Sequence, residues 1–521
     1  MDTLTQPPDS VYFPPRSRRR TVRRRLDQSF EWLSKVMGLL LLGYLLFDRT
    51  FAWFHIPGTP LFVGELALIF GLFTILRTPH LGRIIRMSRP IQLLMLFMLW
   101  GFALGFEGYS NWGIDAVRDS ALWYYGIFAL ISSVLLLYKP ELWDEMVDGL
   151  TRFIPFFFMV MVVRFLFGNV DIGARVPDSR TPYTAHKTAN IAVNIAIALA
   201  FLLLVIGPAL TKDLKRRGTS LTLFGLLLVV AVGTQSRGGF LAAFLILAVV
   251  FVLARHARGV MLGVVALAVL VAILAAALDV KFQLDRRELS VEQAIENFQS
   301  VAEEATSGSQ FDNTTQWRLN LWSLVVDDVF REERMLTGFG FGENLADRYG
   351  FTGPSSVPLR NPHNSHLSVL ARMGVVGTIL WVAMFGAWFL NLSRARRQFI
   401  EIGEDRRAAL SLWLMLAMIA ILVNAFFDPT IEGPQVGVIL WTTFGMGAVL
   451  GLGARSVGSR RRRLRNQRGH EFDWLLLQER PPESPAHPAL SLSADLQEVV
   501  TDFDTLLAEP DDESEDTDPE D

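Results

Sequence analysis

The chain has 521 residues, 51% of them hydrophobic, a formal net charge of −3 and no cysteine. The missing cysteines exclude disulfides, thiolate metal ligands and cysteine nucleophiles. The apolar residues come in repeated blocks of about 20, the length that crosses the hydrocarbon of a bilayer, which excludes a water-soluble fold. Charge is sharply segregated. Seven arginines lie between Arg16 and Arg25, seven more between Arg455 and Arg468, and the last 14 residues carry nine acids and no base.

Residues 1–30 are polar, Pro-containing and basic, and read as a disordered cytoplasmic tail. The apolar run Leu33–Phe47 is followed by Asp48-Arg49 and aromatics rather than by a small-residue cleavage site, so it reads as the first span. Further apolar blocks lie near 60–76, 90–106, 120–138, 150–167, 189–209, 220–235, 239–254, 259–278, 366–390, 408–427 and 434–453. The expected fold is all-α and polytopic, with about twelve transmembrane helices: nine over 31–278 and three over 366–454.

An even number of spans puts both termini on one side. The connections at 77–89, 211–217, 255–258 and 394–407 are basic, as are both tails; the net-acidic 139–148 connection is the exception. By the bias of Lys and Arg towards the cytoplasm, N-in and C-in topology is expected. The opposite side receives 48–59, 107–119, 168–188, the turn Ser236-Arg237-Gly238-Gly239, the long segment 279–365, and 428–433. Helical patterns over 288–305 and 315–331, the latter with Trp317, Leu321, Leu324 and Val325 at helical spacing, predict a small helical domain in the long segment. Residues 455–521 read as a cytoplasmic tail, basic and then acidic and mostly disordered, with a short amphipathic helix near 488–507.

The stretch with most chemical content is Asn361-Pro362-His363-Asn364-Ser365-His366, at the mouth of a long apolar helix. Pro362 cannot sit inside a helix and Asn364 or Ser365 can cap one, so the helix is predicted to start just after His363. His363, Leu367, Leu370, Gly374 and Gly377 then fall roughly along one face. The two glycines would let a second helix approach there. His366 belongs to the same helix start.

Arginines on the outer side stand out because positive charge is otherwise kept inside. Arg237 sits between two apolar spans, beside two glycines that permit close approach. Such a charge needs a partner, and an anionic head group is one. Arg318 lies on the amphipathic loop helix and Arg118 begins the fourth span, while Arg175, Arg180, His186 and Lys187 precede the sixth. Gly338-Phe339-Gly340-Phe341-Gly342 resembles a phosphate loop but lacks the strand of a βαβ unit; it is expected to shape a loop against the membrane face. Asp502-Phe503-Asp504 lies in an acidic tail, where such spacing arises by chance. Asp327-Asp328 and Glu332-Glu333 read as a solvated helix end.

Three features resemble the O-antigen ligase and O-antigen polymerase superfamily of bacterial membrane glycosyltransferases. His363-Asn364 is followed after nine residues by Gly374-Val375-Val376-Gly377-Thr378. Arg237-Gly-Gly-Phe-Leu241 is similar to an Arg-x-x-x-Leu signature. Thr315-Gln-Trp-Arg318-Leu-Asn-Leu-Trp322 precedes the Gly-rich turn and then Pro-His-Asn, the order of the family's shared domain. The clear likeness covers about 220–450.

The resemblance implies a GT-C-like fold, no metal or other cofactor, and a glycan donor on undecaprenyl diphosphate. The acceptor in that family is lipid A-core, another lipid-linked repeat unit or a protein hydroxyl. It also implies the bacterial inner membrane, with the site facing the periplasm. No nucleic-acid partner is expected.

A departing diphosphate develops negative charge, which guanidinium groups can stabilise with paired donors. A neutral imidazole can accept the acceptor's hydroxyl proton. The expected roles are therefore His363 as general base, Arg237 and Arg318 as diphosphate ligands, and Arg118 and Arg360 as further candidates. Asn364 would fix the helix start. A twelve-span polysaccharide transporter or flippase, with Glu65 and Arg164 as charges inside spans, is the alternative of another class. A scaffold or sensor acting through its tails is a third.

Overall fold

The computed structural model describes residues 16–471 apart from 57–58, 60, 168–174, 177–185, 210–211, 234–235, 278–281, 285–286, 290–309, 332–333 and 352–359. The apolar blocks fold as helices: α1 (Arg16–Ala52), α2 (Val63–Ile75), α3 (His80–Met87), α4 (Arg89–Trp112), α5 (Ile114–Asp119), α6 (Ala121–Tyr124), α7 (Ile127–Tyr138), α8 (Leu142–Phe167), α9 (Thr188–Phe201), α10 (Lys212–Gly233), α11 (Arg237–Leu253), α12 (Arg258–Ala277), α13 (Gln310–Arg331), α14 (Ser365–Glu401), α15 (Asp405–Phe427) and α16 (Pro434–Glu471). One antiparallel pair of three-residue strands, Phe282–Leu284 and Arg287–Leu289, interrupts the helical pattern.

Among the described residues, seven helices are long and apolar enough to cross a membrane, or up to ten if each bent pair is one span. This is an all-helical polytopic membrane protein. The expected count of about twelve exceeds that range because several apolar blocks do not make separate long spans. α2 bends by 94° into α3, and the 238–253 helix bends by 104° into its successor. Gly218–Gly233, within α10, is a shorter apolar helix.

The core is built around α16. Of its apolar window, 94% is buried, against 28% for α8, so α16 is central and α8 peripheral. Glycines make that position possible. A side chain at Gly445 would strike Ser132 and the Ala129 carbonyl, one at Gly447 the Trp388 ring, and one at Gly451 Asn391. With no side chains there, backbones close up as small residues allow between membrane helices. Ser132 and Ser133 donate to the carbonyls of Thr442 and Gly445 across the contact.

The tails depart from expectation at their inner edges. α1 begins at Arg16, within the stretch expected to be disordered, and α16 runs on to Glu471, past the expected boundary at 454. Extending an existing helix adds a hydrogen bond per residue without a new nucleus, and arginine is a good helix former. The predicted 488–507 helix and Asp502-Phe503-Asp504 lie outside the described residues.

The long segment carries α13, as its second pattern predicts. Leu321, Val325 and Val329 are fully buried, whereas Leu324 is exposed, so the buried stripe is one position off the expected set. Of the first pattern, Glu288 and Leu289 lie in the second strand and the remainder falls outside the described residues. The buried face of α13 joins Phe339, Leu345, Ala346, Leu367 and Ala371 in a small core separate from that of the bundle. Asp328 is no solvated helix end: it accepts from Tyr349 Oη at 2.8 Å and pairs with Arg348 at 3.5 Å.

The connections sort into two ends. Asp48, Lys187, Asp428 and His363 meet at one, as do Asp119, Gly342 and Arg360. At the other, Tyr138 Oη donates to Asp27, His80 packs edge-on against Tyr138, and Arg406 pairs with Asp144. The first set are segments expected on one side; the second come from the N-terminal tail and from connections expected on the other, among them the net-acidic 139–148.

Candidate functional site

Asn364 caps α14 as predicted. Its Oδ1 accepts from the backbone N–H groups of His366 and Leu367 at 3.0 and 3.1 Å, satisfying two of the helix's free donors. His363, the residue before the cap, has φ 53°, a left-handed backbone uncommon for a side chain of this size. The turn is held from both sides. Asn361 Oδ1 accepts from His363 N at 3.3 Å, and Trp322 of α13 donates to the Pro362 carbonyl at 2.6 Å.

The helix then breaks at Gly374, with φ 64° and ψ −165°. This corrects the expectation that Gly374 and Gly377 form a face for a second helix. The partner at Gly374 is the Gly-rich segment, whose approach leaves no room for a side chain: a Cβ there would lie 2.4 Å from the Leu336 carbonyl carbon. The backbone groups freed by the break are taken up. Phe339 N donates to Ala371 O at 2.7 Å, Val375 N to Met335 O at 2.8 Å, and Trp100 Nε1 to Met373 O at 3.0 Å. A side chain at Gly377 would first meet Met373 of the same helix.

His366 is held at both ring nitrogens. Trp381 donates to Nδ1 at 3.2 Å, which makes Nε2 the donor to Leu422 O at 2.9 Å. It packs the helix start, as expected.

His363 is different. Its ring stands edge-on to Trp317 at 5.6 Å, and Nδ1 lies 3.9 Å from Asp428 Oδ1, beyond hydrogen-bond distance. Burial lowers its pKa to about 4, against the pull of Asp428 and with help from Arg318 and Lys187. The imidazole is therefore neutral at pH 7, with a lone pair to accept a proton.

Around it, cations converge on Asp428. Lys187 Nζ pairs with Asp428 Oδ2 at 2.8 Å. Arg318 Nη1 donates to the Phe427 carbonyl at 3.1 Å, its guanidinium lies over the Trp317 ring, and its buried Nε has no hydrogen-bond partner. Burial opposes the Arg318 charge and Asp428 supports it. Arg237 is the first residue of α11, capped by Ser236, whose Oγ accepts from Gly239 N. Its backbone is brought to the same place by its neighbours: a Cβ at Gly238 would lie 2.8 Å from Phe427 and one at Gly239 2.7 Å from Ala189.

The other two predicted arginines are placed elsewhere. Arg118 is exposed on α5. Arg360 spans Asp115 at 3.3 Å and Asp119 at 2.9 Å, and donates to Gly342 O at 3.0 Å, so both terminal nitrogens are already claimed and its buried Nε alone lacks a hydrogen-bond partner. Arg372, which sequence reasoning passed over, is 2% exposed and also binds Asp119 at 2.9 Å. Together with Gly342 N at 3.2 Å they tie α5, the Gly-rich turn and α14 into one knot. The Gly-rich turn thus shapes a loop, as expected.

Sequence reasoning also missed Asp428, and gives Lys187 no role beyond standing with Arg175, Arg180 and His186 before the sixth span. Arg175 is exposed and Arg180 lies outside the described residues. The signal for Asp428 was an acid ending an apolar span, followed by proline.

Glu432 reaches the same turn through Asn361. Its Oε2 accepts from Asn361 Nδ2 at 3.2 Å, and burial raises its pKa to about 7, against the pull of Arg372. Among the described residues, no group of three or more His, Asp or Glu is placed to hold a metal ion.

The chain is thus a many-helix membrane bundle whose one end gathers a neutral histidine, an arginine, a lysine and a carboxylate. The O-antigen ligase family model, Wzy_C, matches residues 221–382, so the chain carries an O-antigen ligase family domain over that stretch. The match takes in Arg237, Arg318 and His363, and leaves out Asp48, Lys187 and Asp428. No curated protein matches the chain.

Proposed function

We propose that this protein is a glycosyltransferase of the O-antigen ligase type, moving a glycan from undecaprenyl diphosphate to a hydroxyl acceptor at the periplasmic face of the bacterial inner membrane, with both termini in the cytoplasm. The observation that carries the reading is the neutral His363 facing Asp428 beside Arg318 and Lys187. In the proposed step His363 accepts the proton of the attacking hydroxyl. A bond forms between that oxygen and the anomeric carbon of the donor, and the bond from that carbon to the diphosphate oxygen breaks. Arg318, Lys187 and Arg237 hold the diphosphate as its charge develops, and it leaves on its polyprenyl carrier. Asp428, 3.9 Å from Nδ1, supports the positive charge of the imidazole once protonated. Lipid A-core is the acceptor of the ligase form of this reaction; a second lipid-linked repeat unit would make it a polymerase.

The charges that a transport path would use have local partners. Glu65 accepts from Tyr125 Oη at 2.7 Å and Tyr124 Oη at 3.3 Å, and Arg164 is within electrostatic reach of Asp48. The test is reconstitution of the protein in liposomes with an undecaprenyl-diphosphate-linked glycan and candidate acceptors. Transfer by the native protein and not by His363→Ala is expected; transfer by both, or movement of the donor across the bilayer without transfer, overturns the reading.

A further inference from the structure

Two non-glycine residues with positive φ occur among the described residues: His363, at 53°, and Asp48, at 43°. They stand at the two ends of one chain of contacts. His363 faces Asp428, Asp428 pairs with Lys187 Nζ, and the backbone N–H of Lys187 donates to Asp48 Oδ2 at 2.7 Å. Asp48 Oδ1 accepts from Asn190 Nδ2 at 3.0 Å, and Asn190 Oδ1 accepts from Asn424 Nδ2 at 3.1 Å.

Asp48 breaks α1 (φ 43°, ψ −116°) and is 5% exposed. A buried, strained, ionisable residue in a membrane helix costs stability on each of those counts, and such strain persists where the surroundings over-determine it, most often at functional sites. Here the surroundings are known. The buried Arg164 of α8 lies within electrostatic reach and offsets the charge. The two acceptor oxygens fix the first turn of α9, one through the Lys187 backbone and one through the Asn190 side chain.

We propose that Asp48 is a positioning residue of the site. Through the backbone N–H of Lys187 it sets where the Lys187 ammonium sits, and hence the Lys187–Asp428 pair that faces His363. The assignment rests on the glycosyl-transfer reading for its functional consequence, and on the contact chain alone for its geometry. It makes the first span, outside the family-matched region, part of the catalytic end. Asp48 does not touch the substrate and has no role in the chemistry itself.

The experiment uses the full-length protein in liposomes with two readouts. Asp48→Asn keeps the volume but replaces one acceptor with a donor. Asp48→Gly removes the carboxylate while relieving the backbone. The first readout is transfer per folded molecule. Both variants are expected to lower it by about ten- to hundredfold, the scale of a roughly 1 Å misplacement. Lys187→Ala combined with Asp48→Asn is expected to be no slower than the slower single variant, because the two act through one contact.

The second readout is acylation of Lys187 by a membrane-impermeant amine reagent, followed by peptide mass analysis. It needs no activity and is expected to rise in both Asp48 variants. Additive losses in the double variant, full activity in Asp48→Gly, or unchanged labelling in both variants overturns the assignment. Increased labelling in a protein that transfers nothing in its native form leaves the positioning role standing and removes the glycosyl-transfer reading instead.

Discussion

Asp119 and Asp428 put the same chemistry to two different uses. Both are carboxylates at the same face of the bundle, each among cations. Asp119 is shared by two arginines: Arg360 and Arg372 each reach its Oδ2 at 2.9 Å, and Gly342 N donates to the same oxygen at 3.2 Å. Asp428 has one close ion pair, to Lys187, while His363 stands off at 3.9 Å and Arg318 spends a donor on the neighbouring carbonyl instead. A carboxylate that claims two guanidinium groups and a backbone N–H holds shape and withholds those donors from a ligand. One whose cations are incompletely paired leaves positive charge to offer. The arginine count of a site is therefore a poor guide; what matters is how many of their donors a carboxylate has already claimed.

Substitutions can break that contrast. The largest expected effect is at His363. His363→Ala should lower transfer by about 10²- to 10⁴-fold, the usual contribution of a positioned general base. Protein levels in membranes, checked by immunoblot, should be unchanged. Asp119→Ala should do the reverse. It leaves the buried Arg372 without its carboxylate and Arg360 with Asp115 alone, costing about 3–5 kcal/mol, and should show as lost accumulation and a lowered Tm in detergent before any change in rate per folded molecule. Gly374→Ala should destabilise by about 1–3 kcal/mol, because its φ is left-handed and its new Cβ would meet the Leu336 carbonyl; thermal unfolding measures it. Arg318→Lys keeps the charge and loses the planar fork, and should slow transfer by about tenfold with accumulation unchanged.

The smallest effect sharpens the comparison through pH. With the His363 pKa depressed to about 4, its base form persists well below neutrality, so the rate should fall from loss of that form only as pH nears 4. Glu432, raised to about 7, changes charge inside the working range. Its ionised form accepts more strongly from Asn361, the residue that holds His363 N, so the rate should rise gently as pH passes through about 7. That rise should vanish in Glu432→Gln. The stability signs are opposite. His363 contributes stability above its ordinary pKa that is lost as pH falls from there towards 4. Glu432 contributes stability at low pH that is lost as pH rises towards 7.

What could be read from the sequence was local. Pro362, Asn364 and the apolar run behind them dictate a capped helix start, and the charge of each connection sorts the loops into two ends, because such signals need no knowledge of what packs against what. Gly374 was misread because the same small residue serves a helix face and a helix break; only the approach of 335–339 decides between them. Asp428 and Lys187 are 241 residues apart and meet through the packing of α9 against α15, which no single-helix pattern encodes. Arg360 looked available because Asp119, also 241 residues away, is silent until α5 is placed beside it.

The break at Gly374 has a mechanical outcome. Above it, the nine residues Ser365–Met373 are clamped from two sides: Leu367 and Ala371 join the small core of α13, while Val369 and Met373 join the bundle and His366 Nε2 donates to Leu422 O. His363 thus stands at the tip of a wedge set between the two cores. On the proposed reading, an acceptor that leans on α13 would press against a base whose footing the bundle keeps in place.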